Sequence, residues 1–155
     1  MAIVEALTDQ YERGWRMVEA TVAAIPDARW REAGRDYLNP ARLAYHLVET
    51  VEFYFSDSDD FPFGQRFGGD WPKLAPAELP SRDDVRDYLR EVREKSTRWI
   101  RRHDDVSILG PNRRHPWCGE TLLGLALYVL RHTLHHHGEM NALAVLDGSD
   151  TDNWE

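Results

Sequence analysis

Apolar residues recur every three or four positions in four segments of the chain, a spacing that places them on one face of an α-helix. The pattern predicts a first helix over residues 3–24, which ends before Pro26. It predicts a second helix that begins after Asn39, a residue type favoured at helix starts. That helix has Pro40 in its first turn and runs to about Phe55.

The third predicted helix begins at Ser81, where Asp84 can complete a reciprocal cap. The fourth covers about residues 120–146 and ends before Gly148. No segment shows the alternation of a strand, and the chain has no internal repeat. The sequence therefore predicts an all-α fold, an antiparallel four-helix bundle with a long connection between its second and third helices.

That connection, residues 57–80, is rich in proline, glycine and acidic residues, so regular structure is expected to stop there. It also carries Phe61, Phe63, Phe67 and Trp71, which argue against disorder. Two interpretations stay open at this stage. The aromatic side chains either form a wall of a binding pocket or cover one end of the bundle.

Composition places the chain among single-domain globular proteins. Its 155 residues suit one domain over residues 1–155, with a polar tail at about 148–155. The net charge of −8 argues against nucleic acid as a partner, and no apolar run is long enough to span a membrane. The N-terminus lacks a basic leader, and Cys118 has no intrachain disulfide partner. Both features lead us to expect a cytoplasmic protein.

Four of the seven histidines fall within residues 132–137. His132 and His136 are four residues apart, so they lie one turn apart on the same helix face and can bind one metal ion. His135 lies to one side of that face, and His137 is expected to point outward. Two imidazoles are too few, because a catalytic site usually has three protein ligands and an open position.

The third candidate ligand is His46, which lies on the inward face of the second predicted helix. A bundle can bring it to His132 and His136, and three neutral imidazoles suit zinc, nickel, copper or iron(II). Glu49 and Glu139 are close enough in sequence to orient a ligand or act as a general base. The alternatives are a hydrogen-bonded core histidine at 46 and a solvated cluster at 132–137.

Other chemistry is less well supported. The acidic run at residues 57–60 lacks the glycine and the closing glutamate of a calcium loop. Cys118 is a weak nucleophile candidate, since a thiol without a base is usually inert. A leucine strip on the fourth helix, opposite the histidines, packs either on another helix or on a partner subunit. It comprises Leu123, Leu127, Leu130 and Leu134.

At these histidines the chain resembles the DinB-like family of helical metalloproteins. The resemblance rests on His46 in ARLAYHLVE and on HTLHHHGE, which runs from His132 to Glu139. It extends over essentially the whole chain, since the helix order and the long connection also fit. Glu139 departs from the pattern, because glutamine is common there.

The resemblance implies that His46, His132 and His136 hold a divalent metal ion, most often nickel or zinc, with iron or manganese as further candidates. It implies a homodimer and a small-molecule substrate. Some members are thiol-S-transferases that use a low-molecular-weight thiol, and others resemble hydrolases. A binding module that does no catalysis is the alternative. An exchangeable water on the metal favours the enzyme, whereas a closed site favours the module.

Overall fold

The computed structural model describes residues 2–32 and 38–151. Within those ranges the regular structure is helical, and the prediction of an all-α fold is confirmed. The α-helices are α1 (Ile3–Ala24), α2 (Asp27–Trp30), α3 (Pro40–Phe55), α4 (Arg82–Arg101) and α5 (Leu122–Leu146). The tail residue Trp154 lies outside the described residues. No described helix combines the length and the apolar composition that crossing a membrane requires.

Side-chain caps determine where the long helices begin. The side chain of Asn39 accepts a hydrogen bond from the Arg42 amide at 3.1 Å, as its position before α3 predicts. Ser81 Oγ accepts one from the Asp84 amide at 3.1 Å and so caps α4. The last helix begins at Leu122 rather than near residue 120, because the Thr121 hydroxyl caps it by accepting a hydrogen bond from the Gly124 amide at 3.0 Å.

Each long helix packs along two of the other three, and two of these neighbouring pairs are antiparallel. Between α1 and α4, the Trp15 indole donates to Ser96 Oγ at 3.0 Å, and Arg82 donates to the Ile25 carbonyl at 2.6 Å. Residue numbers rise in one helix as they fall in the other. Helices α3 and α5 are antiparallel in the same way, since His46 lies beside His136 and Tyr54, later on α3, lies beside Tyr128, earlier on α5.

The other two neighbouring pairs are parallel. The Tyr11 hydroxyl donates to the Ala126 carbonyl at 2.7 Å, and Thr21 Oγ1 lies 3.1 Å from His137 Nε2, so α1 and α5 run the same way. The Tyr88 hydroxyl donates to Glu52, and the Trp99 ring lies 4.6 Å from that of Phe55, so α3 and α4 also run the same way. A uniformly antiparallel order therefore does not describe all four pairs. The reason is the long connection, which carries the chain back to the starting end of α3 before α4 begins.

Residues 56–81, which we call the return segment, run back along α3 and contact it at successive turns. It contains two single turns of 3₁₀ helix and no α-helix. Glu49 Oε1 accepts from the Gly64 amide at 2.8 Å, and the Tyr45 hydroxyl donates to the Gly69 carbonyl at 3.2 Å. These contacts cover the face of α3 that the neighbouring helices leave open, so α3 is buried on nearly every side.

Two glycines of the return segment provide a test of this tight packing. Both adopt left-handed backbone angles, with φ of 77° at Gly64 and 78° at Gly68. A Cβ on Gly64 would lie 2.6 Å from the Asp70 amide nitrogen, whereas a Cβ on Gly68 would meet nothing within 4 Å. Gly68→Ala should cost about 1 kcal/mol through its backbone conformation. Gly64→Ala should cost about 1–3 kcal/mol more, because its Cβ overlaps the backbone.

Urea unfolding of the two variants measures this difference directly. Since the two positions share their backbone angles, the second variant serves as a control for conformational strain. Equal losses of unfolding free energy would contradict the packing described for residues 64–70.

Candidate metal centre

The structure brings the three predicted imidazoles together. His46 comes from α3, and His132 and His136 come from successive turns of α5, which packs against α3. The Nε2 atom of His46 lies 3.1 Å from that of His136 and 3.2 Å from that of His132. The side chains are partly buried, and their ligand atoms form one of two groups among the described residues that could hold a metal ion.

The second ring nitrogen of two of these histidines is held by a neighbour on its own helix. His136 Nδ1 lies 2.7 Å from Glu139 Oε2, and His46 Nδ1 lies 3.2 Å from Thr50 Oγ1. Such contacts fix the orientation and the tautomer of metal-binding histidines, because they leave Nε2 free. His132 Nδ1 is buried without a hydrogen-bond partner among the described residues.

This arrangement fits a divalent cation better than a set of hydrogen bonds. A carboxylate only accepts hydrogen bonds, so Glu139 requires the proton on His136 Nδ1 and leaves the Nε2 of that ring as a lone pair. If hydrogen bonds alone held the cluster, His46 Nε2 would have to donate its single proton to both His132 Nε2 and His136 Nε2. An ion at about 2.0–2.1 Å from each nitrogen would accept all three lone pairs, and nitrogens sharing such an ion lie about 3 Å apart.

Burial also keeps these rings in the form that binds metals. Burial, together with the smaller effect of the neighbouring imidazoles, lowers the pKa of His46 to about 3 and that of His132 to about 4. Both rings are therefore neutral at pH 7, as a ligand must be.

The return segment forms one wall of the centre. The Trp71 ring lies against the His46 ring, with centroids 4.2 Å apart and planes at 40°. Arg42, one turn before His46, donates to the Trp71 carbonyl and, at 2.7 Å, to the Leu74 carbonyl. The wall is therefore held by a buried guanidinium from the same helix that supplies a histidine. Of the predicted loop aromatics, Trp71 is the one that contacts this group.

The two predicted carboxylates have different positions. Glu139 contacts His136 directly, as described above. Glu49 is buried, and its carboxylate binds the Tyr45 hydroxyl at 3.2 Å and the Gly64 amide. Burial raises its pKa. No hydrogen bond joins Glu49 to the histidines among the described residues, so its observed contacts hold the return segment.

The expectation that His137 points outward is wrong. This side chain is only 5% exposed, and it contacts Thr21 of α1. The physical reason is that α5 packs against both α1 and α3, so it buries two faces. A second helical stripe in the sequence could have revealed this face, because Val129, Thr133, Met140 and Ala144 are also buried. His135 is exposed, and its Nε2 lies 3.6 Å from Glu139 Oε1.

The remaining candidate features have structural partners. Cys118 is buried, and burial raises the pKa of its thiol, so it is not activated as a nucleophile. In the acidic run, Asp57 pairs with Arg102 at 3.0 Å and Asp59 pairs with Arg114 at 3.1 Å. These two carboxylates, at the start of the return segment, therefore form ion pairs with arginines outside it.

Fold and site together define a helical protein with a three-histidine cluster suited to a divalent metal. The chain belongs to the DinB superfamily, whose family pattern matches residues 10–140, and this confirms the family resemblance seen in the sequence. That range includes every histidine of the cluster. No curated protein and no solved structure matches the chain.

Substitution of Glu139 tests its role in orienting His136. Glu139→Ala removes the acceptor at 2.7 Å and should weaken metal binding about 10–100-fold. Glu139→Gln keeps an acceptor oxygen and should weaken binding much less. Competition against a chromophoric chelator gives both affinities. Glu94→Ala, on the exposed side of α4, is the control, and equal affinities in all variants would refute the orienting role.

Acid should destabilise the metal-free protein partly through these histidines. Their pKa values in the folded state, about 3 and about 4, lie below the ordinary value of 6.5. Between those values the unfolded chain binds more protons, so the free energy of unfolding falls as the pH drops from about 7 to 4. A His46→Gln/His132→Gln double variant should show a shallower fall in urea unfolding. The exposed His135→Gln is the control, and an unchanged slope in the double variant would count against buried neutral imidazoles.

Proposed function

We propose that the protein is a metal-dependent enzyme in which His46, His132 and His136 hold one divalent ion. The single observation that supports this proposal is the meeting of three Nε2 atoms, with separations of 3.1 and 3.2 Å, between two packed helices. Nickel or zinc is the proposed metal, with iron and manganese as further candidates, since imidazole ligands suit several first-row ions.

When bound, such an ion lowers the pKa of a coordinated water or thiol and so supplies a hydroxide or thiolate near neutral pH. The residues of the chain prepare the site for it. Burial keeps His46 and His132 neutral. Glu139 orients His136, and Trp71 covers one face of His46.

The reaction that we propose is transfer of a low-molecular-weight thiol to an electrophilic small molecule, on the basis of the family resemblance. The second candidate is hydrolysis. It is favoured by the carboxylate of Glu139, which lies beside the cluster and can exchange a proton there. Glu49, by contrast, is separated from the histidines by its bonds to the return segment, and we propose no proton transfer by it.

We also propose a homodimer in the cytoplasm. Leu130 and Leu134 of the leucine strip lie beside Gly14 of α1, so this part of the strip packs on another helix of the same chain. Leu127, in contrast, is 50% exposed, and Val145 further along α5 is 55% exposed. Exposed apolar side chains along one helix suit a two-fold contact. A single buried thiol suits a reducing compartment.

Metal analysis of purified protein tests the site. Protein prepared without chelator and then loaded with zinc or nickel should bind about one ion per chain, and His46→Ala and His132→Ala should each lose nearly all of it. His103→Ala is the matched control, because this ring contacts Trp99 on α4 instead of the cluster. Retention of the ion in either cluster variant, or no binding by the wild type, would rule out the proposed site.

Activity is tested on the loaded protein with a panel of thiols and electrophilic acceptors. Thiol consumption that depends on the metal and on His46 supports the transferase. Release of product without a thiol supports the hydrolase instead. A metal that binds tightly but promotes neither reaction would contradict the enzyme proposal and favour a binding module.

A further inference from the structure

A pair of tyrosines extends the histidine faces of α3 and α5. Tyr54 lies two turns after His46 on α3, and Tyr128 lies one turn before His132 on α5, in each case at multiples of four residues. The two tyrosine rings meet across the helix pair with centroids 5.4 Å apart, at 71°. The pair therefore lies on the same surface as the cluster, about 6 Å along α5 from His132.

An exposed tryptophan and a buried thiol adjoin these tyrosines. The Trp117 indole donates to the Tyr54 hydroxyl at 3.4 Å, yet Trp117 is 64% exposed. Cys118 is buried, and Tyr54 is close enough to affect the pKa of its thiol. Burial raises the pKa of Tyr54, so this surface presents a neutral phenol beside a large apolar ring. Such a combination is characteristic of small-molecule sites.

Arg131 adds a positive charge. Its guanidinium lies 5.4 Å from the centroid of the Tyr128 ring, and its charge also lowers the pKa of Cys118 against the larger effect of burial. No described carboxylate forms an ion pair with it, whereas Arg93 and Arg102 are both paired. An unpaired, stacked guanidinium is suited to a carboxylate, which it can bind through two hydrogen bonds.

We propose that Tyr54, Tyr128, Trp117 and Arg131 form a binding site for a small planar aromatic carboxylate. The aromatic ring packs on Trp117 and the tyrosines, and the carboxylate pairs with Arg131. The unpaired guanidinium of Arg131 favours an anion over a neutral compound of the same shape. This site would bind the substrate of the proposed enzyme, so its role in catalysis rests on the proposed function. Ligand binding itself does not require the metal.

Two ligands of equal shape distinguish the contribution of the carboxylate charge to binding from that of the aromatic ring. We suggest titrating metal-free protein with 1-naphthoate and, in parallel, with uncharged 1-naphthamide, by calorimetry. The wild type should bind the carboxylate at least fivefold more tightly. Arg131→Gln should weaken naphthoate about fivefold or more and leave naphthamide within twofold. Trp117→Ala should weaken both ligands at least threefold.

Arg113→Gln, at an exposed position in the loop before α5, is the control for net charge and should change neither affinity more than twofold. Circular dichroism and urea unfolding establish that each variant is folded, and Trp117→Phe retains a ring if the alanine variant is not. Equal affinity for the two ligands, or insensitivity of naphthoate to both Arg131→Gln and Trp117→Ala, would overturn the proposal.

Failure of this proposal and failure of the proposed metal function give different results. His46→Ala should abolish metal binding and leave naphthoate affinity within twofold, since Tyr54 lies two turns away on α3. Naphthoate binding by a protein that takes up no metal would support this site and reject the metal enzyme. Metal uptake without naphthoate binding would do the reverse.

Discussion

The packing of α3 between α5 and the return segment is the constraint on which the rest of the structure depends. Contact with α5 brings His46 to the two histidines on successive turns of that helix. Contact with the return segment holds Trp71 against the His46 ring. A shift of α3 by one turn, about 5.4 Å, would undo both contacts at once.

The helices were largely predictable because their signals are local. Periodicity and caps located α1, α3 and α4, and Asn39 and Ser81 cap their helices as the sequence indicates. The direction of the helices was not predictable in the same way. It depends on where residues 56–81 lead the chain, and that path is set by single contacts, such as that of Arg42 with the Leu74 carbonyl.

In the candidate site, too, the features set by local sequence were predictable and those set by distant contacts were not. The spacing of His132 and His136 follows from helix geometry, and the position of His46 follows from an inward stripe. Trp71 could not be selected among the loop aromatics, because no periodicity relates it to α3. His137 was predicted to point outward because it lies away from the face of His132 and His136, whereas contact with α1 buries it. Non-local packing, and not residue type, decides these cases.

The long separation in sequence between the ligands has a consequence for biosynthesis. His46 and His132 are 86 residues apart along the chain and meet only when the last long helix is in place. A nascent chain therefore carries one imidazole of the three until α5 has been synthesised. Assembly of the three-histidine cluster therefore follows the synthesis of α5 and its docking against α3.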